Sequence, residues 1–96
     1  MNDLEKAKKL LAEGFTIVLC RGDKVYTSTG RGVSPLMSML EKKIDLKGFS
    51  AADKVVGKAA AMLFVLCGVS EVFAAVATYK AKEILEKNGI KLYTDN

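Results

Sequence analysis

The sequence predicts one α/β domain over residues 1–96, with three α/β/α layers around a mixed sheet of about four strands. Two strand-like runs, 15–20 and 24–29, flank a tight turn and predict an antiparallel hairpin. A later apolar run, 72–77, precedes an amphipathic helix and a short strand, which predicts a right-handed βαβ unit with parallel strands. Together these segments predict the strand order 2-1-3-4, with helices on both faces of the sheet.

The N-terminal half supplies a helix, the hairpin and a glycine-rich loop. Asp3 is predicted to cap the first helix. The strand at 15–20 is apolar on both alternating faces, which favours burial, whereas the more polar strand at 24–29 is typical of a sheet edge. In the following loop Ser34 is predicted to cap the next helix, and Pro35 to occupy its first turn.

The C-terminal half is predicted to contain one long buried helix. Ser50 and Asp53 have the spacing of a capping box, which predicts a helix over 50–67 that stops at Gly68. No polar side chain interrupts this helix between 59 and 67, so we expect it to be buried on every side.

The composition excludes several classes of chemistry. The chain has no histidine and only two cysteines, which rules out His-based catalysis and a structural zinc tetrahedron. Cys20 and Cys67 lie in apolar runs, and we expect buried, reduced thiols in a cytoplasmic protein. The charged, amphipathic N-terminus does not resemble a signal peptide.

The distribution of charged residues limits the classes of binding partner that we expect. The net charge is +4, but basic residues are mixed with acidic ones, as on solvated helix faces, so we expect no nucleic-acid partner. The longest uncharged run, 59–70, is far shorter than the roughly 20 residues of a membrane helix, so we expect no membrane span.

Four segments give the chain a family resemblance. They are GRGVSPL at 30–36, DKVVGKAAA at 53–61, GVSEVFA at 68–74 and LEKNGI at 85–90. On these runs the sequence resembles a family of small prokaryotic proteins of unknown function in the cytidine deaminase-like superfamily. The resemblance covers most of the chain. It implies a cytidine deaminase-like fold and a homo-oligomer, because relatives in the superfamily commonly oligomerise.

The resemblance does not extend to the zinc chemistry of the superfamily. Its deaminases hold zinc through a His- or Cys-Ala-Glu motif at the start of one helix and a Pro-Cys-x-x-Cys motif at the start of the next. The first is expected within 50–58, which has no His, Cys or Glu, and the second at 77–81, which has neither Pro nor Cys. We therefore expect no metal site and no zinc-dependent deaminase activity. The sequence leaves open an enzyme of another kind, with Asp53 as base beside Lys58.

The equivalent pocket, beyond the strand ends and at helix N-termini, is predicted to bind an anion. Lys54 and Lys58 lie one turn apart on the predicted helix, and two like charges on one face require water or an anion. The candidate ligand-binding residues are Gly30, Arg31, Gly32, Ser34, Asp53, Lys54, Lys58, Thr78, Tyr79 and Lys80. Each has a structural alternative: turn glycines, helix caps at Ser34, Asp53 and Thr78, or surface side chains.

Two functions remain open from the sequence. The first is a catalytically inert deaminase-like domain that binds a nucleotide or another phosphorylated metabolite, or carries a nucleotide-derived group covalently. No other cofactor is expected. The alternative is a homo-oligomeric interaction or regulatory module without a small-molecule ligand.

Overall fold

A five-stranded mixed sheet organises the chain. The structure is a computed structural model that describes residues 1–95. Its elements are α1 (Asp3–Ala12), β1 (Ile17–Arg21), β2 (Lys24–Ser28), α2 (Ser34–Glu41), β3 (Ser50–Val56), α3 (Lys58–Cys67), β4 (Glu71–Ala77), α4 (Tyr79–Lys87) and β5 (Lys91–Tyr93).

The strands lie in the order β2-β1-β3-β4-β5. β1 pairs antiparallel with both β2 and β3, whereas β3, β4 and β5 run parallel. On one face α1 packs through Leu4, Ala7 and Leu11 against a core that contains Val18 and Phe73. The larger core on the other face contains side chains of α2, α3 and α4. The three-layer α/β/α architecture with a mixed sheet is therefore confirmed, with one strand more than predicted.

The additional strand, β3, corrects the largest error of the sequence analysis. The segment 50–56 was predicted to begin the long helix, but it forms the central strand between β1 and β4, and α3 begins only at Lys58. Ala51 and Ala52 favour a helix by intrinsic propensity, but both are fully buried, one toward each core. Small side chains here let helices approach both faces of the sheet, and this packing outweighs local propensity.

The expectation that α3 is buried on every side is also wrong. Ala60, Ala61 and Phe64 face the core, but Met62 and Leu66 are exposed by 54% and 72%. The helix is the outer layer of the sandwich, so one face meets solvent although it carries no polar side chain beyond Lys58.

Two of the predicted helix caps shift by one residue. Asn2 rather than Asp3 caps α1, with its side chain accepting from the backbone N–H of Glu5. Val33 occupies the N-cap position of α2, so Ser34 is the first helical residue, and Pro35 lies in the first turn as predicted. The left-handed stop at Gly68 is confirmed, with φ of 74°.

Both cysteines are buried free thiols, as predicted. Burial raises the pKa of Cys20 and that of Cys67, which disfavours the reactive thiolate. None of the helices within residues 1–95 has the length and hydropathy needed to cross a membrane.

Candidate functional site

A cavity of about 460 Å³ opens where the carboxyl end of β3 meets the first turn of α3. Four short segments line it: 16–17 at the start of β1, the loop 30–33, 53–55 in β3, and 57–60 at the start of α3. We call this cavity the α3 pocket. It brings together six of the ten predicted site residues: Gly30, Arg31, Gly32, Asp53, Lys54 and Lys58.

Asp53 is the buried carboxyl group of the α3 pocket. Its register partners are Ile17 on β1 and Ala74 on β4, which both belong to the core beneath α2, α3 and α4. The side chain is only 7% exposed. Burial raises the pKa of Asp53 to about 7, although the backbone N–H groups of Val55 and Lys54 favour the ionised form and oppose this rise in part. Both protonation states of the carboxyl group are therefore populated near neutral pH.

Three basic residues line the α3 pocket together with this carboxyl group. Arg31 comes from the loop, Lys54 from β3 and Lys58 from the first position of α3, and all three are exposed. None of them forms an ion pair within 4 Å with a carboxylate of residues 1–95. The prediction that Lys54 and Lys58 lie one turn apart on a helix is wrong, because Lys54 lies in β3 and Lys58 is the first residue of α3. The pocket thus carries an excess of positive charge.

The first turn of α3 adds backbone donors. Gly57 is the N-cap residue and supplies no side-chain cap, and the N–H of Ala61 is the first to bond back, to the carbonyl oxygen of Gly57 at 3.0 Å. The N–H groups of Lys58, Ala59 and Ala60 precede that bond, so they have no partner within the helix. They carry the positive end of the helix dipole into the pocket.

Hydrogen bonds to the hairpin hold the glycine-rich loop in place. The hydroxyl of Thr16 donates to the carbonyl oxygen of Gly30 at 2.6 Å, and the N–H of Gly30 donates to the hydroxyl oxygen of Ser28 at 2.9 Å. Because this N–H is already used, the expected contact of Gly30 with a phosphate through its backbone N–H is not supported. Gly32 has a φ of 60°, which favours glycine and supports its interpretation as a turn residue.

The other four predicted site residues do not line the α3 pocket. The hydroxyl of Thr78 caps α4 by accepting from the N–H of Ala81 at 3.1 Å, as predicted for a cap. Tyr79 is 85% exposed, Lys80 pairs with Glu83 at 3.1 Å, and the Ser34 hydroxyl donates to the carbonyl oxygen of Arg31 at 3.2 Å. The sequence analysis expected both helix N-termini to line one pocket, but the cavity opens toward the hairpin and loop instead.

Lys80 nevertheless shares a different cavity with Lys58. That cavity, also of about 460 Å³, lies between α3 and α4.

The sequence analysis missed Thr16 and Val55, which also line the α3 pocket. No spacing or motif in the sequence marks these two residues. Their place depends on strand pairing, since Thr16 accepts from the N–H of Lys54 through its carbonyl oxygen.

The zinc motifs of the superfamily do not fit these helix starts. The first turn of α3 carries Lys58, Ala59 and Ala60, and α4 begins with Tyr79 and Lys80. Within residues 1–95, no three His, Cys, Asp or Glu side chains come together as a metal would require.

The fold is similar to that of several solved structures. A DUF1893 family protein from Thermotoga maritima is 24% identical with a TM-score of 0.86; the match covers 98% of this chain and 65% of that one. The dCMP deaminase from the cyanophage S-TIM5, in apo form, is 12% identical with a TM-score of 0.63, covering 96% of this chain and 93% of that one. RibD from Acinetobacter baumannii is 16% identical with a TM-score of 0.64, covering 96% of this chain and 33% of that one.

These likenesses establish a cytidine deaminase-like fold. The chain spans 65% of the Thermotoga maritima protein. No curated protein sequence matches the chain. The model of the domain of unknown function DUF1893 matches residues 5–95, so nearly the whole chain lies within one family domain. The chain therefore belongs to the DUF1893 family.

Proposed function

We propose that this protein is a catalytically inert deaminase-like domain that binds a nucleotide or a related phosphorylated metabolite in the α3 pocket. The observation that carries the proposal is that Arg31, Lys54 and Lys58 line one cavity at the uncapped start of α3. Three cations without carboxylate partners and a row of free N–H groups are the complement of a phosphate dianion.

Arg31, Lys58 and Asp53 each offer a different kind of contact to a phosphate group. Arg31 offers a planar guanidinium for two parallel hydrogen bonds, whereas Lys58 offers a point charge beside the helix N–H groups. Each charged hydrogen bond to a phosphate oxygen contributes about 1.5–3 kcal/mol, and the helix terminus about 0.3–2 kcal/mol. Asp53 opposes an anion when ionised, but its protonated form donates a hydrogen bond to the ligand instead.

The size and the relatives favour a nucleotide-like ligand. A volume of about 460 Å³ lies within the usual range of roughly 300–1,000 Å³ for small-molecule pockets. The cyanophage relative is named for dCMP, and another structure of similar fold is a diaminohydroxyphosphoribosylaminopyrimidine deaminase/reductase from Thermotoga maritima (14% identical, TM-score 0.57). Both names describe a phosphorylated compound that carries a pyrimidine.

The side chains that are present support the proposed catalytic inertness. The chain has no histidine, and the two cysteines are buried with a raised pKa. In the α3 pocket Asp53 is the one carboxyl group among residues 1–95, and no nucleophilic thiol accompanies it. The pocket supports recognition of an anion better than turnover.

Native mass spectrometry of the purified protein, beside a denatured control, tests the proposal directly. A mass that is lost on denaturation identifies a bound ligand, and one that survives identifies a covalently attached group. If the protein is purified without a bound ligand, its affinity for phosphate and for cytidine 5′-monophosphate is measured by calorimetric titration instead. No binding of either compound would contradict the proposal.

A pair of variants locates the binding. Lys58→Ala removes one charge at the pocket, and Lys82→Ala removes one from the exposed face of α4 as a matched control. We expect Lys58→Ala to weaken binding at least about tenfold, since one charged hydrogen bond is lost, and Lys82→Ala to change it little. Equal effects of the two variants would show that overall charge, not the α3 pocket, attracts the anion.

A homo-oligomeric interaction module is the second candidate. It is favoured by Met62 and Leu66, which lie one turn apart on α3 and expose more than half of their side chains. This function predicts an oligomer that dissociates on dilution and that Leu66→Lys prevents from forming. Light scattering over a concentration series measures both, and a monomer at every concentration would contradict it.

A further inference from the structure

We propose that the α3 pocket binds its anion together with a proton, and that Asp53 is the group that holds this proton. The inference rests on the proposed function and adds a regulation of the same site, since the anion is bound in acidic conditions and released as the pH rises. It starts from the presence of one buried carboxyl group and three basic residues in the lining of a single cavity.

Asp53 has a fixed place in the wall of the α3 pocket. Its strand, β3, is paired on both sides, with Ile17 of β1 and Ala74 of β4 in register with Asp53. The backbone at this position is therefore held by two neighbouring strands, and the residue is only 7% exposed. An anion that enters the pocket thus meets a carboxyl group that is not free to move into solvent.

The charged residues around Asp53 come from three places. Arg31 lies in the loop, Lys54 on β3 and Lys58 on α3, whereas α2 and α4 contribute no residue to the lining. The register partners on β1 and β4 do not titrate, and α1 packs on the other face of the sheet. Among residues 1–95, no ion pair within 4 Å joins Asp53 to a basic side chain. No cation in contact with the carboxylate therefore keeps it ionised when an anion binds.

An ionised Asp53 opposes an anion in the same cavity. Like charges repel more strongly beside a protein wall than in bulk water, because the surroundings screen them less. A proton on the carboxyl group removes this repulsion and turns one of its oxygen atoms into a hydrogen-bond donor. By thermodynamic reciprocity, a proton that strengthens anion binding is itself held more tightly once the anion is bound.

The coupling falls near neutral pH. Burial raises the pKa of Asp53 to about 7, so the empty pocket loses this proton in that region. The chain has no histidine, and lysine and arginine side chains ordinarily stay charged there. Asp53 is therefore the group in the described lining of the pocket whose charge changes around neutral pH.

Sulfate is the probe that tests this coupling, because it stays a dianion throughout the range in which phosphate itself titrates. Calorimetry on the full chain at constant ionic strength gives its affinity at about pH 6 and about pH 8. If the protonated pocket is the form that binds, the affinity should fall about tenfold between these conditions, in step with the protonated fraction of Asp53.

Two variants assign the effect to one carboxyl group. Asp53→Asn cannot ionise at this position, so its affinity for sulfate should be nearly the same at both pH values. Asp45→Asn, at an exposed aspartate outside the α3 pocket, is the matched control and should retain the parent's fall in affinity.

Proton uptake measures the coupling without any variant, and serves if Asp53→Asn fails to fold. Titrations of the parent in two buffers with different enthalpies of ionisation give the number of protons taken up with each sulfate. We expect about one proton at about pH 8 and only a small fraction of one at about pH 6, where the empty pocket already holds it.

The outcomes separate the coupling from the proposed function. An affinity for sulfate that is equal at both pH values, or an Asp53→Asn variant that loses as much affinity as the parent, would overturn the coupling while the anion pocket stands. Failure of sulfate to bind in the more acidic condition would also overturn it. If phosphate fails to bind as well, the proposed function falls with it.

Discussion

Asp53 affects both the stability of the fold and the charge of the α3 pocket. A carboxyl group in the central strand, between apolar partners on both neighbouring strands, is costly when ionised. The sequence analysis named Asp53 as a candidate site residue, with a helix cap as its structural alternative. The structure excludes the cap and places Asp53 in the lining of the α3 pocket. No local pattern distinguishes these roles, because the burial of Asp53 depends on α3 packing above it.

The raised pKa of Asp53 predicts a pH-dependent stability. The folded chain holds this proton up to about pH 7, whereas an unfolded chain releases it near 3.8. The folded state therefore binds more protons between these values, and the free energy of unfolding falls as pH rises through this window. Asp53→Asn removes the group that titrates, so we expect its stability to depend less on pH.

Urea unfolding at about pH 5 and about pH 8 measures this difference. Relative to Asp53→Asn, the parent should lose roughly 2–3 kcal/mol between these conditions. Asp45→Asn, at an exposed aspartate, is the matched control and should retain the parent's loss. A parent and an Asp53→Asn variant with parallel pH profiles would show that Asp53 is ionised in the fold at all these pH values.

At the scale of elements, β3 shows where sequence patterns fail. The hairpin, the strand at β4 and its following helix were predicted because each carries its own local signal: a turn, an apolar run or a cap. The segment 50–56 carries a misleading one, since alanines behind a serine are typical of a helix start. In the structure the Ser50 hydroxyl instead donates to a carboxylate oxygen of Glu71 at 2.7 Å, across to the neighbouring strand.

Enlarging a buried alanine of β3 tests its packing between two layers. Ala52 is fully buried beneath α1, so Ala52→Leu should overfill this core and cost about 1–3 kcal/mol of unfolding free energy. Ala12→Leu, at the exposed end of α1, should cost little. Chemical denaturation compares the two variants, and a neutral Ala52→Leu would contradict the close approach of α1 to β3.

The position of Thr78 at the N-terminus of α4 predicts that this residue stabilises the fold but does not take part in binding. Thr78 caps this helix and does not line the α3 pocket. Thr78→Ala should therefore lower the stability by about 1 kcal/mol but leave the affinity for phosphate unchanged. Thermal unfolding and calorimetry give the two quantities, and a loss of affinity would restore Thr78 to the binding site.

At the scale of the whole molecule, the site arises from the joining of segments that are distant in sequence. Arg31, Lys54 and Lys58 line one cavity, but the sequence analysis placed Lys54 and Lys58 on a single helix, whereas Lys54 lies in β3. Thr16 and Val55 could not be found from local pattern, since only the pairing of β1 with β3 brings them to the pocket. The two-sided sheet also explains why Val55 and Val76 are exposed, because α1 is the one helix that packs on their face of the sheet within residues 1–95.

The central claim is that an anion binds at the uncapped first turn of α3. A phosphate titration followed by amide NMR tests it most directly, because it reports on each backbone N–H separately. The account predicts saturable shifts concentrated on the amides of Lys58, Ala59 and Ala60, with smaller ones at Arg31, and none of this pattern in Lys58→Ala. Weak shifts spread over all basic surfaces, or no shifts at α3, would contradict it.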